Sequence, residues 1–477
     1  MLLRGERLGE ISDDVLEFIS SRDADRHIFE ADLLVDRAHL VMLKERGLIA
    51  AEELSEIVAA LDGIELARLG EGEDVHEAIE AELIARVGAI GGRMHTARSR
   101  NDEVATCIRI VLREELLGLM AEVNGLAEAL IERAGEHKET VIPGFTHLQH
   151  AQPTTLAHHL LAHADALLRD FDRLRDSYHR VNRSPLGAAA FASTGFDIDR
   201  KRTAELLGFE GLLENSMDAV STRDFLLEAL SASAILMVNA SRLAEELILW
   251  STSEFGYLEL DDLFTSTSSI MPQKKNPDTA ELVRGKTGTV FGSLVAALAI
   301  VKALPMSYNR DLQEATPNLW RGISTTRGAV RILAGAVSSA KFNKERLEAA
   351  SGAGFSTATE LADSLVRRTR IPFRNAHQIV GALAAKREVP TIRDLDEVAE
   401  RIAGFRPSER GFGKKELEAA LDPKENVAVR SRIGGPAPEE TGRMVADRRK
   451  RIEENGCLIE EMKGRVDRAL AALREMR

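Results

Sequence analysis

Apolar residues recur every three to four positions along much of the 477-residue chain, which is the spacing of one buried face of an α-helix. The pattern predicts five long central helices, over residues 102–135, 153–181, 222–251, 277–304 and 318–348. In the second of these, one face carries Leu156, Leu160, Leu161, Leu167, Leu168, Phe171 and Leu174. We therefore predict an all-α fold with a central bundle of long helices.

Breaks in this pattern divide the chain into three predicted domains. Gly91-Gly92 interrupts the helices before the central region, and "RRTRIPFRNAH" (367–377) marks a change after it. We predict an N-terminal helical domain (1–105), a central bundle (106–362) and a C-terminal helical domain (363–477). Helices of about 25 to 35 residues span about 40 to 50 Å, longer than a compact single-chain core needs, so we also predict self-association.

Two helix starts are predicted from local residues. Asn276 is a candidate N-cap, with Pro277 in the first turn and Asp278 near the positive end of the helix. Pro153 marks a helix start in the same way.

Composition narrows the class of protein. Apolar residues make up 44% of the chain and aromatic residues only 4%, which favours helix-on-helix packing. A net charge of -13 opposes general attraction to nucleic acid or to an anionic membrane.

The start of the chain lacks the apolar core of a secretory signal, and the most apolar run, 290–301, is too short to span a bilayer. Cys107 and Cys457 form no disulfide or metal pattern and are interpreted as packing residues. We expect a cytoplasmic protein without nucleic-acid or membrane partners.

The first candidate motif is "HTARSRND" (95–102), immediately before a predicted helix. Guanidinium groups, a hydroxyl, an amide and free helix N–H groups suit a carboxylate or a phosphate. The residues concerned are Arg98, Ser99, Arg100 and Asn101. The alternative is a capped helix start with solvated arginines.

The second motif is "GFTHLQHAQPTT" (144–155), in which Thr146 and His147 precede the predicted helix start. A histidine changes charge near physiological pH, so His147 is a candidate acid or base. A metal site is the alternative, because five histidines cluster nearby: His147, His150, His158, His159 and His163. His159 and His163 are one turn apart, but no cysteine or carboxylate stands at ligand spacing, so we predict no metal site.

A third polar segment, "NSMDAVSTRDF" (215–225), opens another long helix. It is either a substrate-binding segment or a capped helix start in which Arg223 faces solvent.

The fourth motif, "STSSIMPQKKNPD" (266–278), carries two prolines that forbid a regular helix. Lys274 and Lys275 precede a helix N-terminus, so a developing negative charge there would meet ammonium groups, N–H donors and the helix dipole. Ser268 or Ser269 supplies a hydroxyl that this setting favours ionising. The alternative is a flexible surface loop.

Other motifs are absent or misleading. "RGKTG" (284–288) lacks the first glycine of a phosphate-binding loop, because Ala280 stands there, and it falls within a predicted helix. We find no dinucleotide-binding, hydrolase or redox motif.

Taken together, these motifs resemble a known family. "SSIMPQKKNPD" resembles the signature loop of the fumarase/aspartase superfamily. Within it, the chain resembles the argininosuccinate lyase family through "TARSRNDEVAT", "GFTHLQHAQPTT", "PLGAAAFASTGFDIDR", "NSMDAVSTRDF" and "YNRDLQE". The resemblance runs from about residue 18 to about residue 440.

The resemblance implies a three-domain, almost entirely helical fold and a homotetramer whose active sites are shared between subunits. It also implies reversible cleavage of argininosuccinate to L-arginine and fumarate, the last step of arginine biosynthesis, without a cofactor.

It implies roles for individual residues as well. Ser268 is the expected base, His147 assists protonation of the departing guanidino nitrogen with Glu281 polarising its ring, and Lys274 stabilises the dianionic intermediate. The resemblance leaves open which of Ser268 and His147 is base and which is acid. The expected substrate contacts are Ser21, Asp25, Ser99, Arg100, Asn101, Thr146, Arg223, Asn276, Tyr308 and Gln313.

Two positions depart from the family pattern. Thr267 stands where glycine is common, which restricts the loop because β-branched residues avoid many glycine conformations. Thr316 stands where many members carry a lysine.

There are two alternative hypotheses: another fumarate-releasing lyase of the superfamily, and a non-catalytic structural protein of the crystallin type. The second hypothesis predicts loss of a catalytic group, whereas the sequence contains all of Ser268, His147, Lys274 and Asn276.

Overall fold

The protein is described from a computed structural model that covers residues 11–70, 72–386 and 388–476. These residues form mostly α-helices, which confirms the predicted all-α fold. The helices are α1 Asp13–Ile19, α2 Arg22–Asp25, α3 Phe29–Glu45, α4 Ala51–Leu61, α5 Val75–Val87, α6 Arg100–Glu136, α7 Leu156–Val181, α8 Arg200–Leu206, α9 Ser216–Ser221, α10 Asp224–Ser251, α11 Asp278–Val301, α12 Ala315–Ser339, α13 Lys344–Ser351, α14 Ala358–Thr369, α15 Phe373–Ala384, α16 Ile392–Ala403, α17 Lys414–Leu421, α18 Pro423–Ala428 and α19 Pro438–Glu475.

Short antiparallel strand pairs lie between the helices. The strands are β1 Val141–Thr146, β2 Gln149–Thr155, β3 Leu258–Glu259, β4 Ser266–Thr267, β5 Lys275–Asn276 and β6 Lys341–Phe342. β1 pairs with β2, β3 with β6 and β4 with β5. The first and third pairs hold two of the candidate motifs.

The five predicted long helices correspond to α6, α7, α10, α11 and α12, which pack against one another as a bundle. The predicted face of α7 is confirmed, since six of its seven apolar residues are buried and Leu168 is half-buried. Helix α6 is about 55 Å long at 1.5 Å per residue, and the long C-terminal helix α19 packs along it.

Two predicted helix starts are wrong. Pro153 lies in β2, paired with Pro143, and α7 begins only at Leu156 after its N-cap Thr155. Asn276 is not an N-cap, because its backbone pairs with Ser266; Pro277 occupies the N-cap position of α11. In both cases a strand pairing uses backbone groups that the local sequence assigned to a helix.

A second apolar core, formed by residues between Leu361 and Ala420, is separate from the core of the bundle. The predicted boundaries at residues 105 and 362 stay predictions.

Helix α10 is the one helix of the described residues that is long and apolar enough to cross a membrane. It qualifies by length and composition only, and 56% of its most apolar stretch is buried inside the protein, where α10 packs against α7, α11 and α12. Core helices of soluble proteins meet the same criterion.

Large apolar side chains remain exposed on three bundle helices. They are Ile235 and Val238 on α10, Leu282, Phe291, Val295 and Leu298 on α11, and Ile332 on α12.

Candidate active site

The start of α6 is held by Ser99 and Asp102. Ser99 is the N-cap: its hydroxyl accepts the Asn101 N–H at 3.3 Å, and the Asp102 carboxylate accepts the Ser99 N–H at 3.0 Å. The other Asp102 oxygen accepts the N–H groups of Gly187 and Ala189 at 2.9 and 2.8 Å. Burial outweighs these hydrogen bonds and raises the pKa of Asp102 to about 6. The cap therefore also anchors the "PLGAAAF" segment.

The two arginines of this motif have different surroundings. The Arg98 guanidinium is buried, 2.6 Å from an oxygen of Asp36 and 2.9 Å from an oxygen of Glu103, so the solvated alternative is wrong for it. Arg100 donates to Asp74 at 2.9 Å and lines a cavity. Arg98 supports the fold, whereas Arg100 is placed to contact a ligand.

This cavity has a volume of about 350 Å³. Seven of the ten predicted substrate contacts line it, although they come from distant parts of the sequence: Ser21, Asp25, Arg100, Asn101, Arg223, Tyr308 and Gln313. Thr316, one of the two departures from the family pattern, also lines it. The fold thus brings most of the predicted binding set together in one place.

The cavity carries charges of both signs. Ser21 donates to Asp25 at 2.5 Å, and burial raises the pKa of this aspartate. Arg310 donates to Glu73 at 2.5 Å. A cavity with paired carboxylates and guanidinium groups suits a ligand that itself carries both charges, such as an amino acid.

Arg223 is 2% exposed, so the alternative in which it faces solvent is wrong. Its Nη1 donates to the carbonyls of Val220 and Thr222 at 3.2 and 2.8 Å, while its Nε–H is buried without a partner. Burial lowers its pKa to about 10. A buried, unpaired N–H is costly, so an acceptor on a ligand in the cavity would be favourable.

Sequence reasoning missed several cavity residues, among them Glu73, Asp74, His76 and Arg310. His76 Nδ1 donates to Asp32 at 2.8 Å, and its Nε2 is buried without a partner. Burial acts to lower the pKa of His76, but the carboxylates of Asp32 and Glu103 outweigh it and raise the pKa well above its usual value. The N-cap role of Asp74 was readable from the sequence; the contact between His76 and Asp32 was not.

His147 lies in a tight hairpin turn outside this cavity. Thr146 pairs with Gln149, so His147 and Leu148 are the two turn residues, each with a φ of 56°. Such a turn normally uses Asn-Gly, because larger residues are strained at positive φ. The turn exposes Thr146 and His147 to solvent. Strained backbone of this kind is concentrated at functional sites.

Ser268 begins a loop that the β4–β5 pair closes. Its Oγ accepts the N–H groups of Ile270 and Met271 at 3.3 and 3.1 Å. At the base of the loop, Ser266 donates to Asp278, and Thr279 donates to the carbonyl of Phe264 at 2.7 Å. The alternative of a flexible surface loop does not apply to the closed end of the loop, where these hydrogen bonds fix the backbone.

The two lysines of this loop differ. Lys275 Nζ lies 3.0 Å from Glu259 and 2.7 Å from Asp262, so its charge is paired. Lys274 is exposed, and its ammonium group has no hydrogen-bond or ion-pair partner among the described residues. Glu281 is exposed on the first turn of α11. Of the two ammonium groups, that of Lys274 is available to a ligand.

Within one chain the candidate residues form three separate groups: the cavity, the His147 turn and the Ser268 loop. No hydrogen bond or ion pair joins these groups in the part of the chain that the structure describes, and neither His147 nor Ser268 lines the cavity. Of the remaining predicted contacts, Thr146 belongs to the turn, Asn276 to the loop, and Ser99 to the cap.

Two residues of the histidine cluster have a partner that the sequence did not indicate. His159 and His163 on α7 both contact Glu246 on α10, at 2.5 and 2.8 Å. No carboxylate stands at ligand spacing from these histidines in the sequence, but α10 brings one, that of Glu246, next to them. Cys457, predicted as a packing residue, is exposed, whereas Cys107 is buried.

Comparison with known proteins places this geometry in a class. A family model described as Lyase matches residues 28–292, and one described as Argininosuccinate lyase C-terminal matches residues 355–428. The solved structure of an EDDS lyase in complex with formate is 34% identical, with a TM-score of 0.88 over 94% of this chain and 91% of that chain. A class II fumarase from Schistosoma mansoni, 15% identical with a TM-score of 0.69 over 84% of this chain and 90% of that chain, shares the fold. The protein is a lyase of the fumarase/aspartase superfamily.

Curated relatives narrow the class. An argininosuccinate lyase of Methanothrix thermoacetophila is 64% identical over 100% of this chain and 98% of its own length. One of Methanosarcina barkeri is 56% identical over 99% of this chain and 97% of its own length. The chain belongs to the argininosuccinate lyase family, as its motifs indicated.

Proposed function

We propose that this protein catalyses the reversible β-elimination of argininosuccinate to L-arginine and fumarate, the last step of arginine biosynthesis, without a cofactor. The observation that carries the proposal is the cavity, in which seven predicted substrate contacts from four regions of the chain meet. Full-length relatives with the same named activity support it.

The chemical demand is removal of a weakly acidic C–H proton beside a carboxylate, followed by cleavage of the C–N bond. The proton passes to the base, and the electron pair of the broken C–H bond forms a dianion that collapses to the fumarate double bond. The guanidino nitrogen leaves with the electron pair of the C–N bond and accepts a proton. Formation of the dianion is the energetic barrier of the reaction. Fixed positive charge and N–H donors lower this barrier by stabilising the dianion.

We assign the base to Ser268. Its Oγ already accepts two backbone N–H groups, and such donors favour the ionised form of an oxygen. The unpaired ammonium of Lys274 in the same loop supplies charge for the dianion, and Asn276 supplies an amide. His147, with Glu281 polarising its ring, assists protonation of the departing nitrogen.

The part of the cavity around Tyr308 and Gln313 is assigned to the arginine half of the substrate. Tyr308 and Gln313 line it, and its carboxylates and guanidinium groups complement an amino acid with a cationic side chain. Thr316 gives this wall a small hydroxyl in place of a lysine, and Arg310 is a further cation there. Asn101 and Thr146 are assigned to the succinate half.

We infer that the protein works as a homotetramer in the cytoplasm, built on the central section 106–362. Two observations support this: exposed apolar side chains lie on α10, α11 and α12, and the His147 turn and the Ser268 loop are separate from the cavity of their own chain. Assembly of subunits would complete each site from several chains.

Detection of fumarate by its ultraviolet absorbance tests the reaction. Purified protein should release fumarate from argininosuccinate and not from adenylosuccinate, malate or aspartate. EDDS is a further comparison substrate, because an EDDS lyase is a structural relative. Release from one of the others alone would favour a different lyase of the superfamily, and no release from any of them would favour the crystallin-type structural protein.

A further inference from the structure

The cluster of His159, His163 and Glu246 has no part in the proposed reaction. His159 and His163 are four residues apart on α7, so their rings lie on one face of the helix. Both Nε2 atoms converge on the same oxygen, Oε2 of Glu246, at 2.5 and 2.8 Å. The residues are accessible, with side chains 27%, 14% and 35% exposed.

This geometry is close to that of a three-ligand metal site. One nitrogen or oxygen atom from each residue lies within 4.8 Å of the others. A tetrahedral zinc ion bound at about 2.0 to 2.2 Å separates its ligand atoms by about 3.3 Å, so each of the two contacts between a histidine and Glu246 needs to lengthen by only about 0.5 to 0.8 Å. Histidines at i and i+4 on a helix are a recurrent zinc-binding pair.

An aromatic ring packs against one side of the cluster. The Trp250 ring is tilted relative to the His159 ring, and their centroids are 4.8 Å apart. One side of the cluster is therefore already fixed.

A second cluster of potential metal ligands differs from this one and consists of Asp32, Asp36 and Glu103. It is buried, and the Arg98 guanidinium lies 2.6 Å from Asp36 and 2.9 Å from Glu103. Its negative charge already has a cation. At Glu246 the partners are two imidazole rings, and each binds a metal through Nε2 once the proton that Nε2 donates to Glu246 has moved to Nδ1 or been lost to solvent.

We propose that His159, His163 and Glu246 bind one zinc-class divalent ion, such as Zn²⁺ or Co²⁺, through two Nε2 atoms and one carboxylate oxygen. A water molecule takes the fourth position on the exposed side. The ion joins the start of α7 to the end of α10 and has a structural role, because no residue of the proposed reaction belongs to the cluster.

The test uses full-length protein carrying Cys457→Ser, which removes the exposed thiol. The protein is treated with chelator and titrated with Co²⁺ in dialysis. We expect one Co²⁺ per chain with the visible absorption of a four-coordinate site, and a rise in the unfolding temperature. Glu246→Gln, which keeps the shape of the side chain, should weaken binding by more than about tenfold, and the double variant His159→Gln/His163→Gln should abolish it.

His158→Gln is the matched control. Its ring lies next in sequence but contacts Thr154 at 2.9 Å and the carbonyl of Gly434 at 3.0 Å, so this variant should bind Co²⁺ as the parent does. Circular dichroism checks the fold of each variant. Absence of Co²⁺ from the parent, or equal binding by the parent and the Glu246→Gln variant, would overturn the proposal and leave the cluster as an ordinary hydrogen-bonded group.

Discussion

The Nε2 atom of His39, on helix α3, donates a hydrogen bond to the backbone carbonyl of Thr96 at 2.8 Å. The ring is 1% exposed, and its Nδ1 has no partner. The bond holds the turn before α6, where Ala97 takes a φ of 62°. Burial and the neighbouring Arg98 guanidinium lower the pKa of His39 to about 3. The turn that presents Ser99, Arg100 and Asn101 therefore depends on a neutral histidine.

The first prediction is that acidification lowers the free energy of unfolding because His39 becomes protonated. The ordinary pKa is 6.5 and the folded one about 3, so the unfolded chain binds the extra proton first. Above about pH 6.5, neutral His39 makes its full contribution to the free energy of unfolding. This contribution is lost as the pH falls towards 3, by about 1.4 kcal/mol per pH unit. His39→Gln keeps an N–H donor but does not titrate, so denaturant unfolding should show a smaller loss in this variant between about pH 7 and about pH 5.

A comparison at about pH 8, where His39 is neutral, measures the packing cost of this substitution alone. Stability curves of the parent and the variant that stay parallel from about pH 8 to about pH 5 would contradict the prediction.

The second prediction concerns the serine pair. Ser268→Ala should lower kcat by at least about a hundredfold with little change in KM, because a base acts on the transition state and not on substrate binding. Steady-state kinetics with argininosuccinate measures this. Ser269→Ala is the matched control and should keep near-normal turnover. Equal losses in both variants would point to disruption of the loop instead of removal of the base.

The third prediction concerns sharing of sites between chains. His147→Asn and Ser268→Ala should each be inactive alone. After their subunits are exchanged, about a quarter of the wild-type activity should return, since a site is intact only when both contributing chains carry the wild-type residue. Each variant exchanged with itself is the control. No recovery after exchange has been verified by mass spectrometry would mean that each site draws both residues from one chain.

Part of this structure could be predicted because its signals are local. The long helices follow from apolar spacing. The start of α6 also has a local signal, a Ser99–Asp102 cap that spans only four residues, although the predicted helix begins at residue 102. The binding residues could be named because the motifs resemble a family. Their meeting in one cavity could not be derived from spacing, since Ser21 and Tyr308 are brought together by packing alone.

What could not be predicted depends on contacts between distant residues. Pro153 and Asn276 have the local character of helix starts, but strand pairing with Pro143 and Ser266 decides their conformation. Glu246 lies more than eighty residues from the two histidines it contacts, and His76 is placed by Asp32 on another helix. Single-sequence spacing carries no signal for such pairs.

The fourth prediction concerns backbone strain beside His147. Leu148 has a φ of 56° and is 75% exposed, so its side chain adds strain without burying much apolar surface. Leu148→Gly should raise the free energy of unfolding by up to about 1 kcal/mol, because relief of the strain exceeds the entropy that glycine adds to the unfolded chain. Lyase activity should persist, since His147 is unchanged.

The opposite change within the hairpin is Gly144→Ala. Its new Cβ would collide with the backbone carbonyl oxygen of Gln152, so the hairpin should be destabilised and activity should fall through displacement of His147. Denaturant unfolding and fumarate release measure both effects. If Leu148→Gly instead lowers stability while Gly144→Ala has no effect, the turn does not hold the strained conformation that presents His147.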